Sequence, residues 1–354
     1  MSNLDEYIER LGDEGEIERT YAAEDLGYLN APEAVLPLLE RLQVETSPVV
    51  RITIFQALLR IDSDETIAGS IGLLGSDDSQ IRNLAVGVLQ RKGQRSLPFL
   101  KRAMREGDRD TRKFVLDALA GIQSNGAAEI YAAALRDDDL NVVITAVENL
   151  GQIRAEEFRE PIENLLTENA HPMLVAACLE ALAGIGNESS LAALRRVFPK
   201  LTELPQFFLT PCLKAIAALG GESEFNELLG LLPARTPQAS AAVLGSLITL
   251  YERGIYRRSP PPEPSAPLLT ALQGLVESNQ PAPCRYQAVR VLGFWAQRDD
   301  VSASLVSCLT NLERFVRIGA AEALRASELP GFEALLAAHE QRELAEEVEP
   351  AQGR

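Results

Sequence analysis

The sequence predicts an all-α protein, a right-handed solenoid of about ten helical hairpins. One column of residues returns ten times at intervals of 30 to 34 residues, with a single interval of 45. Seven places after each member stands a leucine or isoleucine, and no segment shows convincing strand periodicity. Such a period indicates one small unit that stacks on itself. The column, called position 0 below, reads Arg19, Arg51, Arg82, Arg112, Val143, Val175, Leu209, Ser240, Arg285 and Arg317.

The spacing around position 0 predicts the second helix of each hairpin. Around Arg51, the apolar positions −1, +3, +4, +7 and +10 fall on one helical face, and the same positions are apolar in nearly every copy. An apolar stretch before it, such as 33–42, predicts the first helix. Position −4 is expected to cap the second helix by accepting backbone N–H bonds. In consecutive units this position holds Ser47, Asp78, Asp108 and Asp139.

The opening of the second helix resembles that of HEAT repeats. It carries Val50-Arg51, Ile81-Arg82 or Val316-Arg317 after an Asp-rich turn, and the resemblance covers about residues 16 to 327. The unit length is especially similar to the HEAT-like repeats of phycobilisome lyases and their relatives, a family of bilin lyases and bacterial scaffolds. The resemblance implies that the arginines commonly pair with the turn aspartate of a neighbouring unit, and that the four central copies without arginine interrupt this ladder. It says little about activity.

The repeats predict a single solenoid over residues 1–339, followed by an acidic, frayed tail over 340–354. Phe332, Leu335 and Leu336 indicate a final covering helix. The interval of 45 places about 14 extra residues in or before the ninth unit, as a Pro-rich insertion over about 254–267. Proline this dense cannot continue a helix and favours an extended chain. The insertion is either functional or a tolerated disordered loop.

Composition narrows the class of partner. The chain has 34 Lys and Arg against 51 Asp and Glu, which gives a formal net charge of −17. An acidic surface repels phosphate backbones and anionic lipids, so we expect no nucleic-acid and no membrane partner. The acidic N-terminus lacks an apolar signal segment, and no apolar run reaches the ~18 residues of a membrane span. These features predict a cytoplasmic protein.

Two histidines are too few for a metal site built from sequence-local ligands. His171 occupies position −4, which predicts a turn or capping role. His339 stands beside Glu340, and a metal site needs three or four converging ligands. The count also disfavours a metal-dependent hydroxylase. We therefore expect no metal site.

The four cysteines fall on core positions of the repeat. Cys178 and Cys212 stand at +3, Cys284 at −1, and Cys308 in a core column of a first helix. They are predicted to be small buried residues, not nucleophiles or disulfides. No phosphate-binding glycine loop and no nucleophile elbow is found. The sequence therefore predicts no catalytic residue and no cofactor, although it does not settle whether the protein is an enzyme.

Position +5 points away from the core and supplies the first candidates for partner binding. Three consecutive copies are acidic, namely Asp117, Glu148 and Glu180. Together they form either an acidic ridge that steers a basic partner or an ordinary solvated helix face.

A second candidate surface lies in the ninth unit. Tyr286, Arg290 and Phe294 stand at +1, +5 and +9 on one outward face, and Tyr and Arg are frequent interface anchors. The outward Phe294 either receives a partner or is covered by the insertion. Trp295, at +10, is predicted to be core. The insertion adds three further candidates, Tyr256, Arg257 and Arg258.

A third candidate is a basic segment over 91–113, which includes Arg102 and Arg105. It has nine basic residues against three acids, whereas residues 1–30 have two against nine. This asymmetry suits docking of an acidic protein or end-to-end self-association. Local pairing with neighbouring acidic units is the alternative.

These features predict a non-catalytic scaffold or adaptor that binds one or more proteins along the concave face of the solenoid, with bacterial signalling as a candidate setting. The alternative is a bilin-lyase-like or chaperone-like factor that acts on a cofactor-carrying protein. That alternative comes from the family resemblance alone. The oligomeric state is left open.

Overall fold

The computed structural model describes residues 3–122, 124–234, 237–256 and 261–348. Over these residues the chain forms twenty-one α-helices and no β-strand. The prediction of an all-α fold is therefore confirmed. The chain divides into two compact units, Met1–Ile162 and Glu163–Arg354.

The first unit holds five hairpins, each made of an odd-numbered and an even-numbered helix. Even-numbered neighbours pack side by side from α2 to α10, and α3, α5, α7 and α9 form the second layer. The helices are α1 Asn3–Arg10, α2 Glu16–Leu29, α3 Val35–Val44, α4 Pro48–Arg60, α5 Asp64–Gly72, α6 Ser79–Lys92, α7 Leu97–Glu106, α8 Arg109–Ala120, α9 Asn125–Ala134 and α10 Leu140–Gln152.

The second unit repeats this arrangement, with α12, α14, α16, α18 and α20 packed in series. Each residue at position 0 lies in the even-numbered helix of its hairpin, so both units are α-solenoids of the predicted kind. The helices are α11 Arg159–Glu168, which spans the division between the units, α12 Pro172–Ile185, α13 Glu188–Val197, α14 Leu209–Leu219, α15 Glu222–Leu231, α16 Pro237–Glu252, α17 Ala266–Glu277, α18 Ala282–Leu292, α19 Asp299–Cys308, α20 Arg314–Ala326 and α21 Glu333–Val348.

The caps at position −4 form as predicted. Asp78 accepts from the N–H of Gln80 at 2.8 Å, and Asp139 accepts from the N–H of Asn141 at 2.9 Å. Ser47 and Asp108 cap α4 and α8 in the same way. His171 lies in the turn before α12, but its side chain makes no capping bond. Pro172 opens that helix instead, because its fixed φ suits the first helical position.

The core positions are buried as the periodicity predicts. All four cysteines are buried free thiols, and burial raises the pKa of Cys178 and of Cys212 to about 12. A thiol that stays protonated is a poor nucleophile and metal ligand. Trp295 is 4% exposed, which confirms its core position.

Two glycines at position +8 allow close helix contacts. A Cβ on Gly27 would lie 2.7 Å from Cα of Ala57, and a Cβ on Gly293 would lie 2.5 Å from Cβ of Ala323. Both alanines occupy position +6 of the following even-numbered helix. Any side chain at either glycine would therefore push the two helices apart.

Five of the six arginines at position 0 reach an acid beyond their own hairpin, as the ladder predicts. Arg19 donates to Glu45 at 2.8 Å and to the backbone carbonyls of its own preceding turn. Arg51 reaches Asp78 at 2.9 Å, and Arg112 reaches Asp137 at 2.7 Å. Each guanidinium thus joins its own turn to an acid of the next hairpin.

The remaining arginines show how the ladder varies. Arg82 donates to the carbonyls of Ser76 and Asp77 and lies over the ring of Phe114. In the second unit Arg285 is 4.0 Å from Glu313. Arg317 bonds Glu343, whose helix follows the tenth hairpin.

Glu45 is the most enclosed acid of the ladder. Its side chain is fully buried and also accepts from Arg41 at 2.7 Å and from the N–H of Ser47. Burial alone would raise its pKa. The hydrogen bonds from Arg19, from the Ser47 amide and from Arg41 outweigh burial and lower the pKa to about 2.

The C-terminal helix corrects one prediction. Residues 340–348, expected to belong to a frayed tail, continue α21. Glu340 and Glu343 lie on one face of that helix and pair with arginines of α20. These acidic residues therefore join α21 to α20. Residues 349–354 lie outside the described part of the chain. None of the described helices is long and apolar enough to cross a bilayer.

Candidate protein-binding surfaces

Positions −2, +1, +2, +5 and +9 of each even-numbered helix share the face opposite the core. On α2 and α4, which pack against each other, this face exposes large apolar side chains. Their exposed fractions run from 53% to 67%. The five residues are called the N-terminal apolar surface below, and they are Ile17, Tyr21, Tyr28, Val49 and Ile52.

The sequence-based prediction missed this surface because it considered position +5 along the chain but the other outward positions only in the ninth unit. A signal was present at position −2, where five of the ten copies carry a large apolar residue that the structure shows to be exposed. They are Ile17, Val49, Met173, Phe207 and Phe315. Helices α12 and α14 are also neighbours, so Met173 and Phe207 lie on adjacent elements of the second unit.

The α2 part of the N-terminal apolar surface lies in an acidic stretch of chain. Glu24 stands at position +5 of α2, between Tyr21 and Tyr28. Arg60 of α4 places its guanidinium 4.4 Å from the centre of the Tyr28 ring. That contact shows that a ring of this surface already receives a cation, in the geometry of a cation–π interaction.

The three acidic candidates at +5 are all exposed. Asp117 on α8 and Glu148 on α10 lie on neighbouring helices of the first unit. Glu180 lies on α12, in the second unit, where Lys214 approaches it to 3.7 Å. Their role in steering a basic partner stays a prediction.

Tyr286 and Arg290 form a half-buried polar network in the ninth hairpin. The Tyr286 hydroxyl donates to Glu322 at 2.6 Å, and Arg290 donates to the same hydroxyl at 2.9 Å. Arg290 also pairs with Glu252 at 2.9 Å. Burial, together with the hydrogen bond to the Glu322 carboxylate, raises the pKa of Tyr286. The two side chains are thus held in place before any partner binds.

Phe294 belongs to a cluster of five aromatic rings. It stacks on Tyr251 with ring centres 4.1 Å apart and lies 5.8 Å from Phe225. The five residues are called the aromatic cluster below, and they are Phe225, Tyr251, Tyr256, Phe294 and Trp295.

The insertion supplies one ring of this cluster. Tyr256 contacts Phe225 at 5.0 Å, and its hydroxyl donates to Asn226 at 2.9 Å. Phe294 is half-buried among these rings, so its outward position is explained by contacts within the chain. Arg257 and Arg258, the other candidates of the insertion, lie outside the described residues.

The basic segment 91–113 is largely paired within the first unit. Arg102 bonds Glu106 of the same helix at 2.8 Å, and Lys101 approaches Glu129 of the next hairpin at 3.4 Å. Arg105 is exposed on the same helix. Exposed pairs of this kind contribute little to stability and are easily exchanged for a partner's acids. Both interpretations of the segment therefore keep a structural basis.

Lys92 shows a third use of a basic side chain in this segment. Its ammonium donates to the carbonyls of Leu59 at 3.0 Å and Ile61 at 2.7 Å, at the C-terminal end of α4. Burial lowers the pKa of Lys92. This lysine caps a helix, as expected for a cation at the negative end of the helix dipole.

His339 is buried on α21 and lies 3.8 Å from Glu343. Burial lowers the pKa of His339, which favours the neutral imidazole. Within the described residues, no group of three or more His, Cys, Asp and Glu side chains is arranged to hold a metal ion. The four thiols and His339 are buried, so the exposed helix faces are the candidate binding sites.

The described helices form an α-solenoid, and the comparisons agree with this fold. The family described as HEAT repeats matches residues 128–200. The X-ray structure of YibA from Escherichia coli superimposes with a TM-score of 0.54 at 15% identity, over 79% of this chain and 98% of that protein. No curated protein matches the chain.

Yeast importin-β, Kap95p, is a second structural neighbour. It superimposes with a TM-score of 0.53 at 14% identity, over 91% of this chain and 52% of importin-β. The chain therefore spans about half the length of importin-β. Identities this low show the fold alone. The resemblance to phycobilisome lyases stays a prediction from the sequence.

Proposed function

We propose that the protein is a non-catalytic scaffold that binds other proteins through the outward face of its even-numbered helices. The observation that carries this proposal is the N-terminal apolar surface, where five large apolar side chains are more than half exposed on two packed helices. Monomeric proteins rarely expose a contiguous apolar patch unless it binds something. Tyrosine is also among the residues that contribute most to protein interfaces.

The charge around this surface specifies the partner. Residues 1–30 carry nine acids against two arginines, so the partner surface carries Arg or Lys beside its apolar residues. The cation already seated on the Tyr28 ring supports the same chemistry. With a net charge of −17, nucleic acid and anionic membranes are unfavourable ligands. A cytoplasmic location, and a place in bacterial signalling, belong to this proposal.

The test is an affinity capture from native extract with three versions of the protein. The wild type is compared with Tyr21→Ala/Tyr28→Ala/Ile52→Ala and with the control Leu36→Ala/Val44→Ala. The control residues are exposed to 63% and 67%, but they lie on α3 in the other layer. Circular dichroism and thermal melting first establish that all three proteins are folded.

The expected result is a stoichiometric partner that the wild type and the control retain and the triple variant loses. Titration calorimetry with the purified partner should then show an affinity loss of at least tenfold for the triple variant, because tyrosine anchors carry a large share of interface energy. Equal capture by all three proteins would exclude this surface. The lyase-like or chaperone-like alternative comes from the family resemblance. If it holds, a cofactor-carrying protein should be captured only transiently.

A further inference from the structure

The Pro-rich insertion presents a Pro-x-x-Pro segment that is bound by the chain's only tryptophan. The Trp295 indole N–H donates to the carbonyl of Pro262 at 2.8 Å. Pro261 and Pro264 are buried, whereas Pro262 and Glu263 between them are exposed. Two buried residues three positions apart, with exposed residues between them, match a chain with three residues per turn. The segment thus lies on the protein as a polyproline II ligand does.

The binding elements are those that recognise such ligands in proteins generally. A polyproline II chain has no internal hydrogen bonds, so its carbonyls remain free to accept a donor from an aromatic groove. Here the donor is the indole of Trp295, which belongs to the aromatic cluster. Tyr251 at the edge of the cluster is 36% exposed. A preformed aromatic site with one well-placed donor is therefore present.

Charge adds selectivity for the residue between the prolines. Glu263 pairs with Arg298 at 2.7 Å, and Arg298 lies three residues after Trp295. Asp300 holds the same guanidinium in place at 3.0 Å. The side chain of Arg298 is 38% exposed, so the contact is open to exchange. The site thus favours the pattern Pro-x-acid-Pro.

We propose that the aromatic cluster is a binding site for a Pro-x-acid-Pro segment of a partner protein, and that residues 261–264 occupy this site in cis when the partner is absent. The site goes beyond the proposed scaffold function, since its ligand class differs from that of the N-terminal apolar surface. A tethered segment has an effective concentration in the millimolar range. The cis segment therefore weakens binding in trans, and its removal strengthens it.

The test uses a full-length variant, Pro261→Gly/Pro262→Ser/Pro264→Ser, in which the cis ligand is destroyed. The probe is a capped peptide of residues 261–266, Pro-Pro-Glu-Pro-Ser-Ala. The control peptide carries alanine in place of the first and last proline. Binding is followed by the emission of Trp295, because this indole is the only one in the chain and donates directly to the ligand.

The expected result is that the variant binds the probe about tenfold or more tightly than the wild type does, as loss of a tethered competitor requires. The control peptide should bind at least about fivefold more weakly. Trp295→Phe in the same background keeps a ring and removes the N–H. Calorimetry should then show an affinity loss of about fivefold, the value of one hydrogen bond.

The proposal is overturned if the folded variant gives no response to millimolar probe, or responds equally to the control peptide. A second variant, Glu263→Lys, covers the case in which the triple variant does not fold. It breaks only the exposed pair with Arg298 and should bind the probe more tightly than the wild type, whereas an unchanged affinity would contradict the proposal.

Two further outcomes are informative. The wild type could form a concentration-dependent dimer that Pro261→Gly/Pro262→Ser/Pro264→Ser abolishes. That result would assign the site to the insertion of a second copy and overturn the partner proposal. The Tyr21→Ala/Tyr28→Ala/Ile52→Ala variant should retain the wild-type response to the probe. Failure of the scaffold proposal therefore leaves this result unchanged.

Discussion

The first four hairpins and the four central hairpins share the same helical repeat but differ in the residue at position 0. In the first group, position 0 is arginine, and Arg19, Arg51 and Arg112 each bind an acid of the next hairpin. In the central group, position 0 is an apolar or small residue that is at least 94% buried. These residues are Val143, Val175, Leu209 and Ser240. The same backbone repeat therefore accepts either an ion-paired arginine or a buried uncharged side chain at position 0, and we expect the two to respond differently to mutation and pH.

The largest expected effect is on the buried ion pair of the first group. Glu45→Gln removes the charge that Arg19 and Arg41 share in a fully buried site. We expect a loss of about 3–5 kcal/mol in the free energy of unfolding, because uncompensated buried charge remains. Denaturant unfolding measures it. Asp110→Asn, which breaks the exposed pair with Arg109, is the control and should cost less than about 0.5 kcal/mol.

Acid should weaken the same contact. The pKa of Glu45 is lowered from 4.5 to about 2, so the unfolded chain binds its proton first and the stabilisation is present above pH 4.5. It is lost as the pH falls from 4.5 towards 2, and it amounts to about 3 kcal/mol. Thermal unfolding at a series of pH values should show this loss in the wild type and a flatter profile in Glu45→Gln. Parallel profiles would contradict the assignment.

A central hairpin should lose stability without this pH dependence. Leu209→Ala removes a side chain that is 3% exposed at position 0 of α14. The expected cost is about 2–3 kcal/mol, from lost burial and a partly collapsed cavity. The cost should be the same at pH 7 and pH 4. A cost that falls with pH would indicate a charged contact at this position and so break the comparison.

The smallest effect compares two caps. Asp139→Ala removes mainly a cap, because Arg112 of the preceding hairpin forms its ion pairs with Asp137 and Asp138. We expect a loss of about 1 kcal/mol. Asp78→Ala removes a cap and the partner of Arg51, and should cost a few tenths of a kcal/mol more, since Asp78 is partly exposed. Equal losses would show that the Arg51 contact adds nothing measurable.

Local sequence patterns predicted the parts of this molecule that local forces determine. The hairpins, the caps at Asp78 and Asp139, and the buried cysteines all follow from periodicity and from turn chemistry. The sequence predicted that the arginines pair with acids of a neighbouring hairpin, but these acids lie in different parts of the structure. Glu45 precedes α4, whereas Glu343 belongs to a helix that composition alone suggested was a tail.

The exposed surfaces were harder to predict because they depend on contacts across the sequence. The sequence placed Phe294 on an outward face, whereas in the structure it is half-buried and stacks on Tyr251, 43 positions away, which no helical period specifies. The same holds for the bond from Trp295 to Pro262. The N-terminal apolar surface was visible in principle at position −2. It was missed because the outward positions other than +5 were considered only in the ninth unit.

The glycine–alanine contacts have a consequence for how such chains are rearranged. Gly27 meets Ala57, and 266 residues later Gly293 meets Ala323 in the same two positions. A hairpin that has glycine at +8 and packs this closely can therefore be followed only by a hairpin with a small residue at +6. Duplication or shuffling of hairpins preserves the solenoid only where these two positions travel together. The first and ninth hairpins share this joint, so we expect the second and tenth hairpins to be exchangeable at it in an engineered array.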